Sequence, residues 1–160
     1  MRPAPFFIWS IALLIFDQLA KWLVRENLAE GEFVTVIPYI FDLTLVYNRG
    51  IAFGLFQGAG VLLSPLAALV AAFAGIGYLR SKPQEKLFRV GMVLLAAGAL
   101  GNLVDRVFGG GKVTDFIDIK IIHVFNVADA CITIAATLLI IHWVLELRNQ
   151  SSPRADITQI

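Results

Sequence analysis

The sequence predicts an all-α membrane protein with four transmembrane helices and a small extramembrane β platform after the first helix. Of its 160 residues, 58% are hydrophobic and only 16% are charged, whereas soluble domains carry about 25% charge. The apolar residues form four long runs, and about 20 such residues in a helix cross the ~30 Å hydrocarbon core of a bilayer. We expect a single integral-membrane domain spanning residues 1–160.

The four predicted helices cover residues 6–24, 61–79, 87–106 and 126–147. No small-residue cleavage site follows the first run, which favours a retained helix over a cleaved signal peptide. The second run contains no charged residue. Residues 149–160 are polar, and we expect them to be a disordered tail.

Residues 33–47 predict the β platform. Bulky apolar residues occupy every second position from Phe41 to Tyr47, which is typical of a half-buried strand. Pro38 favours a turn or a sheet edge. Because the open edges of a small sheet cannot be satisfied inside a bilayer, the platform should lie at the membrane surface.

The distribution of positive charge predicts the orientation. Four basic residues surround the short connection between the second and third helices: Arg80, Lys82, Lys86 and Arg89. Lys and Arg concentrate in cytoplasmic loops. We therefore expect both termini in the cytoplasm, with the platform and the loop of residues 107–124 on the outer side.

Composition disfavours several functions. The formal net charge of +1 lacks the strongly basic character of nucleic-acid-binding domains, so we expect no nucleic acid partner. The single cysteine, Cys131, excludes an intrachain disulfide and a multi-cysteine metal site. His123 and His142 have no second ligand at metal spacing, and we expect no metal. The motifs of serine hydrolases and phosphate-binding loops are absent.

Acidic residues concentrate between Gly98 and Ile132. Four of the twelve lie there: Asp105, Asp115, Asp118 and Asp129. Ionisable groups at membrane depth are costly and mark functional sites. We expect Asp129 to pair with an upstream aspartate for hydrolysis, because two close carboxylates share a proton and can act as acid and base. Spacing alone does not choose between Asp115 and Asp118, which could also be solvated loop residues.

Helical spacing groups further polar residues. Asn102 and Arg106 share one helical face, as do Asn126 and Asp129. These residues could belong to a functional site. The structural alternatives are a helix cap for Asn126 and a helix-end anchor for Arg106, with Asp105 as the expected partner of Arg106.

The first helix carries a further charged pair. Asp17 and Lys21 stand four residues apart and share one helical face. They could form an ion pair at the helix end, with Lys21 reaching toward the interface. Alternatively, they could brace a polar site between helices.

Five motifs occur in order along the chain: DQLAK at 17–21, NRGIAFG at 48–54, GNLVDR at 101–106, VTDFI at 113–117 and FNVADA at 125–130. Together they closely resemble the bacterial lipoprotein signal peptidase family, signal peptidase II. The resemblance implies that Asp115 and Asp129 form the catalytic dyad, and that Asp118 is a neighbour. It also implies a set of substrate-binding or supporting residues: Asn48, Gly50, Asn102, Arg106, Asn126, Asp17 and Lys21.

The resemblance further implies an activity and a location. The expected enzyme is an aspartic peptidase of the bacterial cytoplasmic (inner) membrane, with its active site toward the outer face. It would cut diacylglyceryl-modified prolipoproteins just before the lipidated cysteine. No cofactor is implied, membrane lipid is the other expected partner, and we expect a monomer.

A non-enzymatic transporter or lipid-binding scaffold is the alternative hypothesis. Midplane charges or inverted repeats would favour it. Here the acidic residues cluster toward one face and the sequence shows no internal repeat.

Overall fold

The structure is a computed structural model that describes residues 3–50 and 60–151. Within these residues the chain forms four α-helices: α1 (Ala4–Asn27), α2 (Leu63–Arg80), α3 (Lys86–Phe108) and α4 (Val127–Ser151). All four are long and apolar enough to cross a membrane, and each starts and ends within four residues of its predicted bounds. The chain is therefore a multi-pass membrane protein.

One predicted boundary is wrong. Helix α4 continues through Ser151, so the first three residues of the predicted disordered tail are helical. The polar side chains there do not stop the helix, because hydrogen bonds within the helix continue to satisfy its backbone. Residues 152–160 lie outside the described residues.

Helix α3 lies at the centre of the bundle and packs against the other three helices. Half of its most apolar window is buried, whereas α2 and α4 expose most of theirs, as expected of helices that face lipid. The crossing of α3 with α4 depends on Gly98, where an added Cβ would lie 2.5 Å from the carbonyl oxygen of Ala128. Small residues at such positions let membrane helices approach closely.

The extramembrane platform is a three-stranded antiparallel sheet in the order β1-β2-β3. Its strands are β1 (Phe33–Ile37), β2 (Phe41–Asn48) and β3 (Val113–Asp118). Pro38 falls in the turn between β1 and β2. The first two strands confirm the predicted platform.

Strand β3 corrects the expectation that residues 107–124 form only a loop. Two of its six residues are aspartates. They interrupt the alternation of apolar and polar residues from which a strand is predicted. The strand forms because β2 is its partner, with Val46 opposite Asp115 and Leu43 opposite Ile117.

The sheet is docked onto the end of the helical bundle. Val24 of α1 packs in one buried cluster with Leu45 of β2 and Phe116 of β3. Arg25 adds a hydrogen bond of 2.9 Å from its Nη1 to Thr114 Oγ1. These contacts hold β3 beside the end of α3 and the beginning of α4.

Candidate active site

Asp115 and Asp129 come from two different elements and are connected through two amide side chains. Asp115 lies on β3 and is 1% exposed, and Asp129 lies in the first turn of α4. The Nδ2 of Asn126 donates to Asp115 Oδ1 at 2.7 Å and to Asn102 Oδ1 at 3.2 Å. The Nδ2 of Asn102 donates to Asp129 Oδ1 at 2.7 Å. We call these two asparagines the amide bridge.

The start of α4 fixes the position of Asp129. Asn126 precedes the first helical residue, and its Oδ1 accepts the backbone N–H of Asp129 at 2.9 Å. Asp129 Oδ2 in turn accepts the backbone N–H of Asn126 at 3.3 Å. This reciprocal arrangement is a capping box. Asn126 thus caps the helix with its oxygen while its nitrogen donates a hydrogen bond to Asp115.

The turn after β2 holds the other side of Asp115. Asn48 Nδ2 donates to Asp115 Oδ2 at 3.1 Å, and Asn48 Oδ1 accepts the Gly50 N–H at 2.9 Å. Arg106 Nη2 donates to the Gly50 carbonyl at 3.1 Å. The predicted site residues Asn48, Gly50 and Arg106 therefore adjoin one another. Residues 51–54 of the same motif lie outside the described residues.

The side chain of Lys21 is buried among polar side chains and does not reach the membrane interface. It is 0% exposed, and its Nζ lies 2.8 Å from Asp17 Oδ2 and 3.2 Å from Asp105 Oδ2. The same Nζ donates to Asn102 Oδ1 at 3.3 Å. The expected pairing of Asp105 with Arg106 is thus wrong, because Asp105 faces Lys21.

The two carboxylates around Lys21 also hold the backbone of the site. Asp17 Oδ1 accepts the N–H of Ala128 at 2.8 Å, and Asp105 Oδ2 accepts the N–H of Thr114 at 2.8 Å. Each of these amides belongs to the residue just before one of the two candidate aspartates. Asp17 therefore holds the backbone next to Asp129, and Asp105 holds the backbone next to Asp115, a contact of Asp105 that sequence reasoning missed.

The electrostatic environment of Asp115 favours its protonated form. Burial and the negative charge of Asp129 raise the pKa of Asp115 to about 7, against the opposing effect of hydrogen bonds from Asn48 and Asn126. Desolvation disfavours a buried carboxylate, and a nearby like charge adds to that effect. The carboxyl of Asp115 is thus poised to change protonation near neutral pH.

Asp118 has a different environment on the same strand. Lys120 Nζ lies 2.9 Å from Asp118 Oδ2 and also contacts Asp42. The hydrogen bond from Lys120 lowers the pKa of Asp118. Because Asp118 is three residues beyond Asp115, the two side chains point to opposite faces of the strand. Asp118 is therefore partly exposed and ion-paired with Lys120, apart from the amide bridge.

The described ranges contain no group of three or more His, Cys, Asp or Glu side chains that could hold a metal ion. Cys131 is buried, and the ring of His142 packs against Phe88 with the centroids 5.4 Å apart. The chemistry that the geometry offers is that of two carboxyl groups surrounded by amide donors.

Comparison with known proteins identifies the family. A family model described as signal peptidase (SPase) II matches residues 9–145. The chain belongs to the signal peptidase II family. The predicted family is thus confirmed, and family membership makes the chain a membrane peptidase and disfavours the transporter or scaffold hypothesis.

Relatives of this signal peptidase II family member support the assignment across most of its length. A lipoprotein signal peptidase from Desulfitobacterium hafniense is 43% identical over 146 residues, which cover 89% of this chain and 91% of the relative. A lipoprotein signal peptidase from Moorella thermoacetica is 38% identical over 135 residues, covering 84% of this chain and 89% of the relative.

Solved structures confirm the fold class of this family member. A bacterial membrane enzyme determined by the in meso method at 2.3 Å resolution superposes with a TM-score of 0.86 and 28% identity, covering 96% of this chain and 95% of that one. A second, at 1.9 Å resolution, gives a TM-score of 0.78 and 30% identity, covering 88% and 93%.

Proposed function

We propose that the chain is an intramembrane aspartyl endopeptidase that removes signal peptides from diacylglyceryl-modified prolipoproteins, cutting before the lipidated cysteine. Relatives named lipoprotein signal peptidase support the substrate class. The five motifs support the lipid modification and the cleavage position. The observation that carries the proposal is the amide bridge, which joins Asp115 and Asp129 in a buried site.

The two aspartates act as a pair that shares one proton. The ionised carboxylate takes a proton from a water molecule as the water oxygen attacks the scissile carbonyl carbon, and the protonated partner donates its proton to the carbonyl oxygen. As the tetrahedral intermediate collapses, the C–N bond breaks, the carboxyl group that took the water proton gives it to the leaving amine, and the other carboxylate takes a proton from one of the two hydroxyl groups as the carbonyl re-forms. The pair thereby returns to its starting state.

The surrounding donors orient the two carboxyl groups. Asn48 and Asn126 each donate to one oxygen of Asp115, and Asn102 donates to Asp129. Because each donor is held by its own partners, the carboxyl groups keep their geometry before the substrate arrives, which is the basis of preorganised catalysis. Asp17 and Lys21 support the two carboxyl groups indirectly: Asp17 holds the backbone N–H of Ala128, and Lys21 donates to Asn102 of the amide bridge.

The proposed location is the bacterial cytoplasmic membrane, with both termini inside and the site toward the outer face. The basic residues between α2 and α3 lie at the end of the bundle opposite the aspartates and support this orientation. The acyl chains of the substrate would enter from the lipid, and the peptide would lie along the platform. We propose that the enzyme acts as a monomer.

Cleavage of a diacylglyceryl-modified prolipoprotein by purified protein tests the proposal. Asp115→Asn and Asp129→Asn keep the size of the side chain but remove its acid and base function, so each should lower turnover by about 10²–10⁴-fold. Asp118→Asn is the matched control from the same strand and should retain activity within a few fold of wild type. The same prolipoprotein without the lipid should be cut far more slowly.

Two results would contradict different parts of the proposal. Near-normal cleavage by Asp115→Asn or Asp129→Asn would exclude the aspartyl dyad. Failure of folded wild-type protein to cut the lipidated prolipoprotein, in the presence of a detergent that preserves its helical content, would exclude the substrate.

A further inference from the structure

A groove opens at the end of the bundle opposite the two aspartates. It has a volume of about 470 Å³ and lies between the beginning of α1, the end of α2 and the beginning of α3. Most of its walls are apolar and come from Pro5, Trp9, Leu13, Val90, Val93 and Leu94. Arg89 in this groove precedes Asn102 on α3 by 13 residues, which is about 20 Å along the helix axis. The groove is therefore separate from the proposed active site.

Two basic side chains, Lys86 and Arg89, line the same groove. Arg89 is held over the ring of Tyr78, with its guanidinium carbon 4.0 Å from the ring centroid, and its Nη2 donates to the Tyr78 hydroxyl at 2.6 Å. Tyr78 is buried and packs against Phe6 with the ring centroids 5.0 Å apart. The guanidinium group is thus fixed beside the apolar walls, and exposed Lys86 adds a second positive charge.

The neighbouring charges reinforce the positive character of this end. Arg80 and Lys82 lie in or next to the connection between α2 and α3, and Glu85 is the only acidic residue between them and Arg89. The Glu85 carboxylate accepts the backbone N–H of Lys82 at 2.5 Å, which directs it to the connection and not to the groove. A ligand in the groove would therefore meet hydrocarbon on its sides and positive charge at its end.

We propose that this groove binds an anionic phospholipid of the surrounding bilayer. The apolar walls match an acyl chain, and the positive charges of Arg89 and Lys86 match the negative charge of a phosphodiester. Basic pockets between membrane helices bind anionic lipid headgroups on the cytoplasmic side. A zwitterionic lipid would bring its own positive charge toward the two cations, and a soluble phosphate would leave the apolar walls without a ligand.

Trp9 lines the groove and provides the test. The sequence has three tryptophans, and Trp22 and Trp143 are half or more exposed, so phenylalanine can replace both and leave Trp9 as the sole reporter. The protein is reconstituted in phosphatidylcholine bilayers that contain, at matched mole fractions, either phosphatidylglycerol or phosphatidylcholine with brominated acyl chains. Bromine quenches tryptophan fluorescence only on contact. Each nearby cation strengthens anionic lipid binding about fivefold. Equal quenching of Trp9 should therefore need a mole fraction of brominated phosphatidylglycerol that is lower, by about fivefold or more, than that of brominated phosphatidylcholine.

Two controls separate the groove from the general attraction of a basic surface. Lys86→Glu should abolish the preference, whereas Lys82→Glu makes the same change in charge on an exposed residue outside the groove and should leave it intact. A variant that retains only Trp22, which lies on the same helix away from the groove, should show equal quenching by both lipids.

The proposal fails if Trp9 is quenched equally by the two lipids or if the preference survives Lys86→Glu. It also fails if Lys82→Glu removes the preference to the same degree, or if Trp22 shows the preference seen at Trp9. Each of these results would mean that anionic lipid is at most enriched around the whole bundle. The test does not depend on peptidase activity, and its outcome is independent of the proposed function.

Discussion

Replacing Asp115 by asparagine should make the stability of the protein much less dependent on pH between pH 5 and pH 8. Asp115 is 1% exposed, and burial together with Asp129 raises its pKa from 3.8 to about 7. The folded protein therefore holds this proton more tightly than the unfolded chain does. Asparagine has a similar size but has no proton to lose in this range.

The sign and size of the effect follow from the two pKa values of Asp115. The stabilising contribution of the bound proton is fully present below pH 3.8 and is lost as the pH rises to about 7. The interval from pH 5 to about 7 covers two pH units, each equivalent to 1.36 kcal/mol. Between pH 5 and pH 8 the free energy of unfolding of wild type should thus fall by about 2–3 kcal/mol more than that of the Asp115→Asn variant.

Unfolding in a mild detergent at pH 5 and pH 8, followed by circular dichroism, measures this difference. An asparagine at this position meets two amide donors, and any cost from that contact is the same at both pH values and cancels. Asp118→Asn is the control: Lys120 lowers the pKa of Asp118, so its contribution is lost only at lower pH and the variant should follow wild type. Parallel curves for wild type and Asp115→Asn would refute the argument that Asp115 titrates near neutral pH.

Two further predictions concern packing and buried charge, and thermal or denaturant unfolding measures both. Lys21→Met leaves two buried carboxylates without their ammonium group and should lower the free energy of unfolding by about 3–5 kcal/mol. A loss below about 1 kcal/mol would contradict the buried ion pairs of Lys21. Gly98→Ala places a methyl group 2.5 Å from a backbone oxygen of α4 and should cost about 1–3 kcal/mol. Gly75→Ala meets only two ring carbons of Phe6, at 3.6 and 3.7 Å, and should be nearly neutral, so equal stability of the Gly98→Ala and Gly75→Ala variants would contradict the prediction.

The helices were predictable because each is a long apolar run, whereas the choice between Asp115 and Asp118 was not. The face on which a strand residue lies depends on its register with a partner strand. That partner is β2, whose Val46 lies opposite Asp115 and is far away in the sequence. The family resemblance supplied the choice of Asp115, and the structure shows the buried environment that distinguishes it from Asp118.

The sequence indicated the Asp17 and Lys21 pair but not the third member of the cluster. Residues four apart in a helix share a face, so this pair could be recognised within one helix. Asp105 and Arg106 are adjacent, and adjacent helical residues point about 100° apart. Asp105 consequently faces α1 while Arg106 faces the turn after β2, and nothing local in the sequence indicates which neighbour each one meets.

The ion pair within α1 has a consequence for the biogenesis of the protein. A lone charged side chain opposes insertion of a helix into the membrane by about 2.5–3.5 kcal/mol near its centre. Asp17 and Lys21 neutralise each other inside one helix, so α1 can leave the translocon before Asp105, 84 residues beyond Lys21, has been synthesised. Asp105 of α3 then joins an ion pair that has already formed within α1.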